Sequence, residues 1–149
     1  GVLDGAAAQA AEAEPAPGFE SRLGEELARA KRAHLETGLI VIDLAPGAPR
    51  RETRGRATVP NPVARQLRAS DVLGRLKGGE ICVLLAGTNA EGTEYAASRL
   101  YQSLETLARQ HDLPGVTVGA TTFNLADDSV TDVLARAEHD ARRRTGGRE

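Results

Sequence analysis

"LRASDVLGRLKGGEICVLL", residues 67–85, decides how the rest of the chain reads. Residues 71–76 (DVLGRL) and 80–86 (EICVLLA) are short apolar runs of strand type, and Lys77-Gly78-Gly79 between them makes a hairpin turn. Just upstream, Arg68-Ala69-Ser70-Asp71 sets a guanidinium and a carboxylate three positions apart, where a helical stretch gives way to the first strand. An Arg fork meets a phosphate, or guanine O6 and N7, through two hydrogen bonds, and a carboxylate accepts from guanine N1–H and N2–H. The spacing alone carries no specificity, because Arg109-Gln110-His111-Asp112 repeats it at a helix end where no ligand is expected. Gly78 and Gly79 leave backbone N–H groups open to a phosphate, and Glu80 can hold a cation; a turn that needs positive φ accounts for the glycines equally well.

Working outward, "GFESRLGEELARAKRAHLETG" spaces Phe19, Leu23, Leu27 and Ala30 on one helical face, which predicts a helix over 19–36 with Gly38 as its C-terminal glycine. "LIVIDL" (39–44) reads as a buried strand that delivers Asp43 to its C-terminal end. Residues 45–62 are rich in Pro, Gly and Arg and read as a loop. A short helix is expected over 63–69, capped by Asn61 with Pro62 at its first position. A long helix over 90–111, a strand over 115–123 and a last helix led in by Asp127 or Asp128 complete the order α–β–α–β–β–α–β–α. This order predicts an α/β (α+β) domain with a mostly antiparallel, ferredoxin-like sheet of four to five strands flanked by helices.

The chain has 149 residues, net charge −2 and 40% hydrophobic residues, a composition that suits one globular domain. The positive charge is uneven: Arg50, Arg51, Arg54, Arg56, Arg65, Arg68, Arg75 and Lys77 crowd the middle, which favours an anionic small ligand or partner over a generic polyanion such as DNA. Residues 1–18 form an Ala/Pro-rich linker or short helix, and 19–149 form the domain. The start at Gly-Val and the lack of any Met are read as a piece of a longer protein. No run of residues suits a signal peptide or a membrane span. The single Cys82 excludes an internal disulfide and reads as a small core residue rather than a nucleophile. His34, His111 and His139 lack metal-ligand spacing, and His139-Asp140 reads as a solvated pair. Neither a phosphate-loop signature nor a nucleophile elbow occurs, so zinc enzymes and serine or cysteine hydrolases are disfavoured.

Taken together, Arg68-x-x-Asp71, Arg75 and Lys77-Gly78-Gly79-Glu80-Ile81 resemble a degenerate GGDEF domain, the fold of the bacterial diguanylate cyclases. "FESRLGEELARAKR", "LIVIDLA", "VTVGATT" and "VLARAEHDARRRTGGR" resemble that family's first helix, first strand, later strand and closing helix in the same order. The resemblance implies two metal carboxylates; Asp43 matches one, while Gly79 stands at the other. Moving the alignment by one residue puts Glu80 on the family's acid but breaks the spacing from Arg75. The family's guanine-reading segment is not recognisable in 45–62. The implied consequence is a vestigial active site of Asp43, Gly78, Gly79, Glu80, Arg144 and Arg148, without catalytic residues, a bound metal or cyclase activity. Arg68 and Asp71, with Arg99 as a supporting residue, match the family's inhibitory site for cyclic di-GMP. The expected function is therefore a catalytically dead, cytoplasmic cyclic di-GMP receptor working with a protein partner, an upstream domain or a second copy of itself. The competing readings are a pseudo-cyclase that docks or dimerises without nucleotide, and a residual enzyme or GTP binder built on Asp43, Glu80, Arg144 and Arg148.

Overall fold

The computed structural model describes residues 16–44, 60–112, 115–123 and 129–146. Strand β1 (Thr37–Leu44) explains the architecture. Its side chains alternate between two faces, and both faces are apolar. Ile40, Ile42 and Leu44 pack with Val63 and Leu67 and with Leu100 and Leu104; Leu39 and Val41 pack with Phe19, Leu23 and Leu27 and with Val133 and Ala137. One face is covered by α2 (Pro60–Arg65) and α3 (Ala90–Gln110), the other by α1 (Ala16–Ala33) and α4 (Val130–Gly146). With β2 (Val72–Arg75), β3 (Ile81–Ala86) and β4 (Val116–Thr122), β1 builds a four-stranded sheet in the order β2-β3-β1-β4. Every pair is antiparallel, with Val41 opposite both Cys82 and Gly119. The expected mixed α/β class and helix-flanked antiparallel sheet are found, with four strands among the described residues.

Several local expectations are corrected. Helix α1 ends at Ala33, not near residue 36, because His34 takes the left-handed turn (φ 51). His34 N–H donates to Lys31 O, and Leu35 N–H donates to Ala30 O at 2.9 Å, a Schellman closure. Gly38 is therefore not the helix cap. It lies in β1 beneath Thr93 of α3, where a Cβ would collide with the threonine side chain. Helix α2 begins at Pro60, so Asn61 lies inside it rather than capping it, and it stops at Arg65 instead of reaching 69. The stop has a local cause: the Asp71 carboxylate takes the Arg68 N–H, and the Asp71 N–H donates to Arg68 O, closing a turn that competes with the helix. Helix α4 opens on Ser129, whose hydroxyl accepts from Asp132 N–H while the Asp132 carboxylate accepts from Ser129 N–H. Helix α1 already starts at Ala16, inside the stretch 1–18 expected as a linker or short helix and before the expected start at 19. Asp127, Asp128, residues 1–15 of that stretch and residues 45–59 of the expected loop lie outside the described residues. None of the described helices is long and apolar enough to cross a membrane.

Candidate functional site

The β2–β3 pair carries the two regions singled out by sequence at opposite ends. The glycine hairpin joins Arg75 to Ile81, whereas Asp71 precedes β2 and Ala86 ends β3. At the Asp71 end, the Arg68–Asp71 turn faces the start of α3, which Asn89 caps by accepting from Gly92 N–H at 2.8 Å. Between them lies an open cleft of about 290 Å³ that brings Arg68 and Asp71 together with Thr88, Tyr95 and Arg99 over an apolar floor of Leu67, Leu85 and Leu100.

The groups in this cleft differ in freedom. The Asp71 side chain is 3% exposed and accepts from Arg68 N–H at 2.8 Å and from the Arg68 guanidinium at 3.2 Å. Arg68 is 59% exposed, and the same terminal nitrogen also donates to Ala86 O at 3.2 Å and to Thr88 Oγ1 at 2.9 Å. Arg68 thus ties the segment before β2 to the segment after β3, while its outer edge remains open to solvent. Arg99 is exposed and lies 5.8 Å from the ring centroid of Tyr95, within cation–π range. The duplicate pattern at Arg109 and Asp112 has no such setting: Arg109 pairs with Glu105 one helical turn back.

At the other end, Leu76 N–H donates to Glu80 O at 2.8 Å, and Gly79 N–H donates to Leu76 O at 2.9 Å. Gly79 has φ 94, so the loop Lys77-Gly78-Gly79 is a three-residue hairpin closed by a residue in the glycine-favoured region. Glu80 folds back over Gly78, where a Cβ would meet its carboxylate, and Glu80 Oε1 is buried without a hydrogen-bond partner among the described residues. Burial, and secondarily the Glu80 charge, pushes the Cys82 thiol far above its ordinary range, which makes it inert as a nucleophile. Asp43 is half-buried at the end of β1 and already has an interaction partner. No three His, Cys, Asp or Glu side chains among the described residues cluster in a way that would hold a metal ion. Position 79 has no side chain, and one Glu80 oxygen is turned under the hairpin.

Arg144 is held within the protein. It donates to Asp140 at 2.6 Å on α4 and to both oxygens of Glu94 at 2.5 Å on α3, linking helices on opposite faces of the sheet. Arg148 lies outside the described residues. Asp140 is not the solvated partner of His139 expected from sequence; it also accepts from Ala120 N–H at 2.9 Å and from Arg143 at 2.6 Å. Burial alone would raise the Asp140 carboxyl, but the Ala120 N–H and the two guanidinium groups outweigh it and hold the group below its ordinary 3.8. A depressed folded-state value stabilises the fold above the unfolded value, and that stability is lost as pH falls through the folded value. Asp140→Asn is accordingly expected to lose about 1–3 kcal/mol at pH 7. Urea titrations should show the gap from wild type narrowing only below about pH 4; a gap that is constant from pH 7 to pH 3 would refute this role.

An antiparallel sheet lies between helical layers, with a glycine hairpin at one end and a carboxylate-backed arginine cleft at the other, which makes this an α/β domain with two distinct sheet ends. The family described as "Diguanylate cyclase, GGDEF domain" matches residues 57–145. A curated relative, the probable diguanylate cyclase DgcC of Escherichia coli strain K12, is 32% identical over 107 residues, 67% of this chain and 29% of the relative. The active GGEEF domain of a diguanylate cyclase from Vibrio cholerae superposes with a TM-score of 0.74 at 16% identity, covering 89% of this chain and 90% of that one. The coiled coil and GGDEF domain of Caulobacter crescentus DgcB, solved in complex with c-di-GMP, gives 0.68 at 14% identity, covering 93% and 79%. The chain belongs to the GGDEF domain family, and it spans 29% of the length of the curated relative it matches.

Sequence reading singled out Arg68, Asp71 and Arg99, and the structure brings them into one cleft. It missed Thr88, Tyr95 and Glu94. Of these, Tyr95 had a readable signal, since it stands four positions before Arg99 and so shares its helix face.

Proposed function

We propose that this GGDEF domain makes no cyclic di-GMP and instead receives it in the Arg68/Asp71/Arg99 cleft, signalling to a neighbouring domain or partner in the cytoplasm. The single observation that carries the reading is the convergence of two guanidinium groups and a buried carboxylate, drawn from separate parts of the chain, on one open cleft. Its volume lies at the lower end of small-ligand clefts, which span roughly 300–1,000 Å³. It suits one purine and an adjoining phosphate, with the remainder of the ligand outside. Loss of synthesis is supported by Gly79 standing where the family places an acid and by Arg144 being engaged with Glu94 and Asp140. In this reading, Asp43, Gly78, Gly79, Glu80, Arg144 and Arg148 are the remains of an active site.

A second reading, a docking or dimerising module without nucleotide, is favoured by one feature. Asp71 is spent on closing its own turn, which is a sufficient structural reason for the Arg-x-x-Asp pattern. Calorimetry with cyclic di-GMP separates the two. Arg99→Ala is the cleaner variant, because Arg99 is exposed whereas Arg68 also holds Ala86 and Thr88. A charge-assisted contact contributes about 1.5–3 kcal/mol, so Arg99→Ala and Arg68→Ala should each weaken binding by about tenfold or more. Absence of binding by the wild type would favour the docking module, and wild-type affinity in both variants would remove the ligand from this cleft.

A further inference from the structure

Aromatic residues are scarce in this chain, which has two tyrosines, two phenylalanines and no tryptophan. Phe19 and Phe123 are buried in the core. Tyr95, by contrast, is 66% exposed on the first turns of α3, at the lip of the Arg68/Asp71 cleft. Core packing does not account for it, and its helix face is otherwise polar there, with Glu91, Glu94, Ser98 and Arg99 all exposed. One contact organises it: the Arg99 guanidinium lies over the ring at 5.8 Å from the centroid. Beside it the cleft floor is apolar, through Leu85, Ala96 and Leu100.

We propose that Tyr95 and Arg99 form a stacking platform for a nucleobase, which makes the cleft a site for a purine nucleotide rather than for phosphate alone. This rests on the cyclic di-GMP reading and deepens it. The division of labour follows from the chemistry. A guanidinium held over an aromatic ring is a flat, positively charged surface, and a base of either hydrogen-bonding pattern can lie against it. Arg68 lines the same cleft, and the part of its guanidinium left exposed can donate to a phosphate or to a base edge. Tyr95 therefore backs the flat surface against which a base lies, while the exposed edge of Arg68 supplies charge and Asp71 holds Arg68 in place. The ring also restricts Arg99, so less side-chain freedom is lost when the ligand arrives.

The test is calorimetric titration of cyclic di-GMP into wild type, Tyr95→Ala, Tyr95→Phe and Arg68→Ala, each first shown to melt cooperatively. Stacking on an aromatic side chain, measured by alanine substitution, corresponds to roughly a 5- to 150-fold change in affinity. Tyr95→Ala should lose affinity within that range, and Tyr95→Phe should stay within about twofold, because the face and not the hydroxyl carries the contact. Inorganic phosphate should bind wild type and Tyr95→Ala alike. Equal affinity of wild type and Tyr95→Ala for the dinucleotide overturns the platform while leaving the receptor reading intact if Arg68→Ala still weakens binding. A Phe variant as weak as the Ala variant also overturns it. Weakening by Tyr95→Ala alone, with Arg68→Ala unchanged, upholds the platform and removes Arg68 from the site. A wild type that does not bind at all overturns both.

Discussion

Incubated with GTP and Mg²⁺ or Mn²⁺, the purified chain is expected to release no pyrophosphate above a protein-free control, and Gly79→Glu is expected not to restore turnover. The reason lies in the hairpin. Gly79 occupies φ 94, a region that L-residues enter at a cost of about 1–2 kcal/mol. A glutamate placed there would either strain the turn or force it to reorganise, and Leu76 and Glu80 would lose the hydrogen bonds that close the strand ends. The new carboxylate would still lack the rest of the site, since Arg144 is committed to Glu94 and Asp140. The variant should therefore melt lower than wild type while remaining inactive. Phosphoryl and nucleotidyl transfer depend almost entirely on positioning and charge stabilisation, so a partial donor set does not give a proportionate rate. Pyrophosphate release by the wild type that disappears in Asp43→Asn would show that the site still works and would defeat the receptor reading.

Phe19→Ala should have the largest effect on stability, about 3–5 kcal/mol. Phe19 is 0% exposed, and its ring packs against Gly74 of β2, where a Cβ would collide with the ring's Cδ1, Cε1 and Cγ. Truncation leaves a cavity over bare backbone that no neighbouring side chain on β2 can fill. At about 2–4 °C per kcal/mol for a domain of this size, the melting temperature should fall by roughly 6–20 °C. The complementary change, Gly74→Val, should also destabilise, because overpacking costs about 1–3 kcal/mol. A shift below about 3 °C for Phe19→Ala would show that α1 is not seated on the sheet as described. The result bears on function, because α1 packs on the β2–β3 pair whose two ends carry the hairpin and the Arg68–Asp71 turn.

How far the site was legible depends on the range over which each feature is decided. The hairpin could be read because Lys77-Gly78-Gly79 separates two apolar runs, and Gly79 closes the turn at φ 94, where glycine is favoured. The helices could be read because Phe19, Leu23 and Leu27, or Leu100 and Leu104, repeat at the helical period. The end of α1 was misread because Gly38 looked like a cap. Only packing shows that His34 turns left-handed and that Gly38 makes room for Thr93. The two Arg-x-x-Asp copies show the limit most directly. Asp71 closes a turn that breaks helix α2, whereas Arg109 stays on α3 and meets Glu105 instead.

The order of residues alone determined the family, through a match that runs over residues 57–145, and the alternation of helices and strands, because hydrophobic period and turn residues are set by neighbours within a few positions. Only the tertiary structure decided that Arg68, Asp71, Tyr95 and Arg99 share a cleft and that Arg144 is bound to Glu94 rather than left open. Those meetings are set by how α3 and α4 pack on the sheet, a consequence of burying apolar faces that leaves no local trace beside the polar residues it brings together.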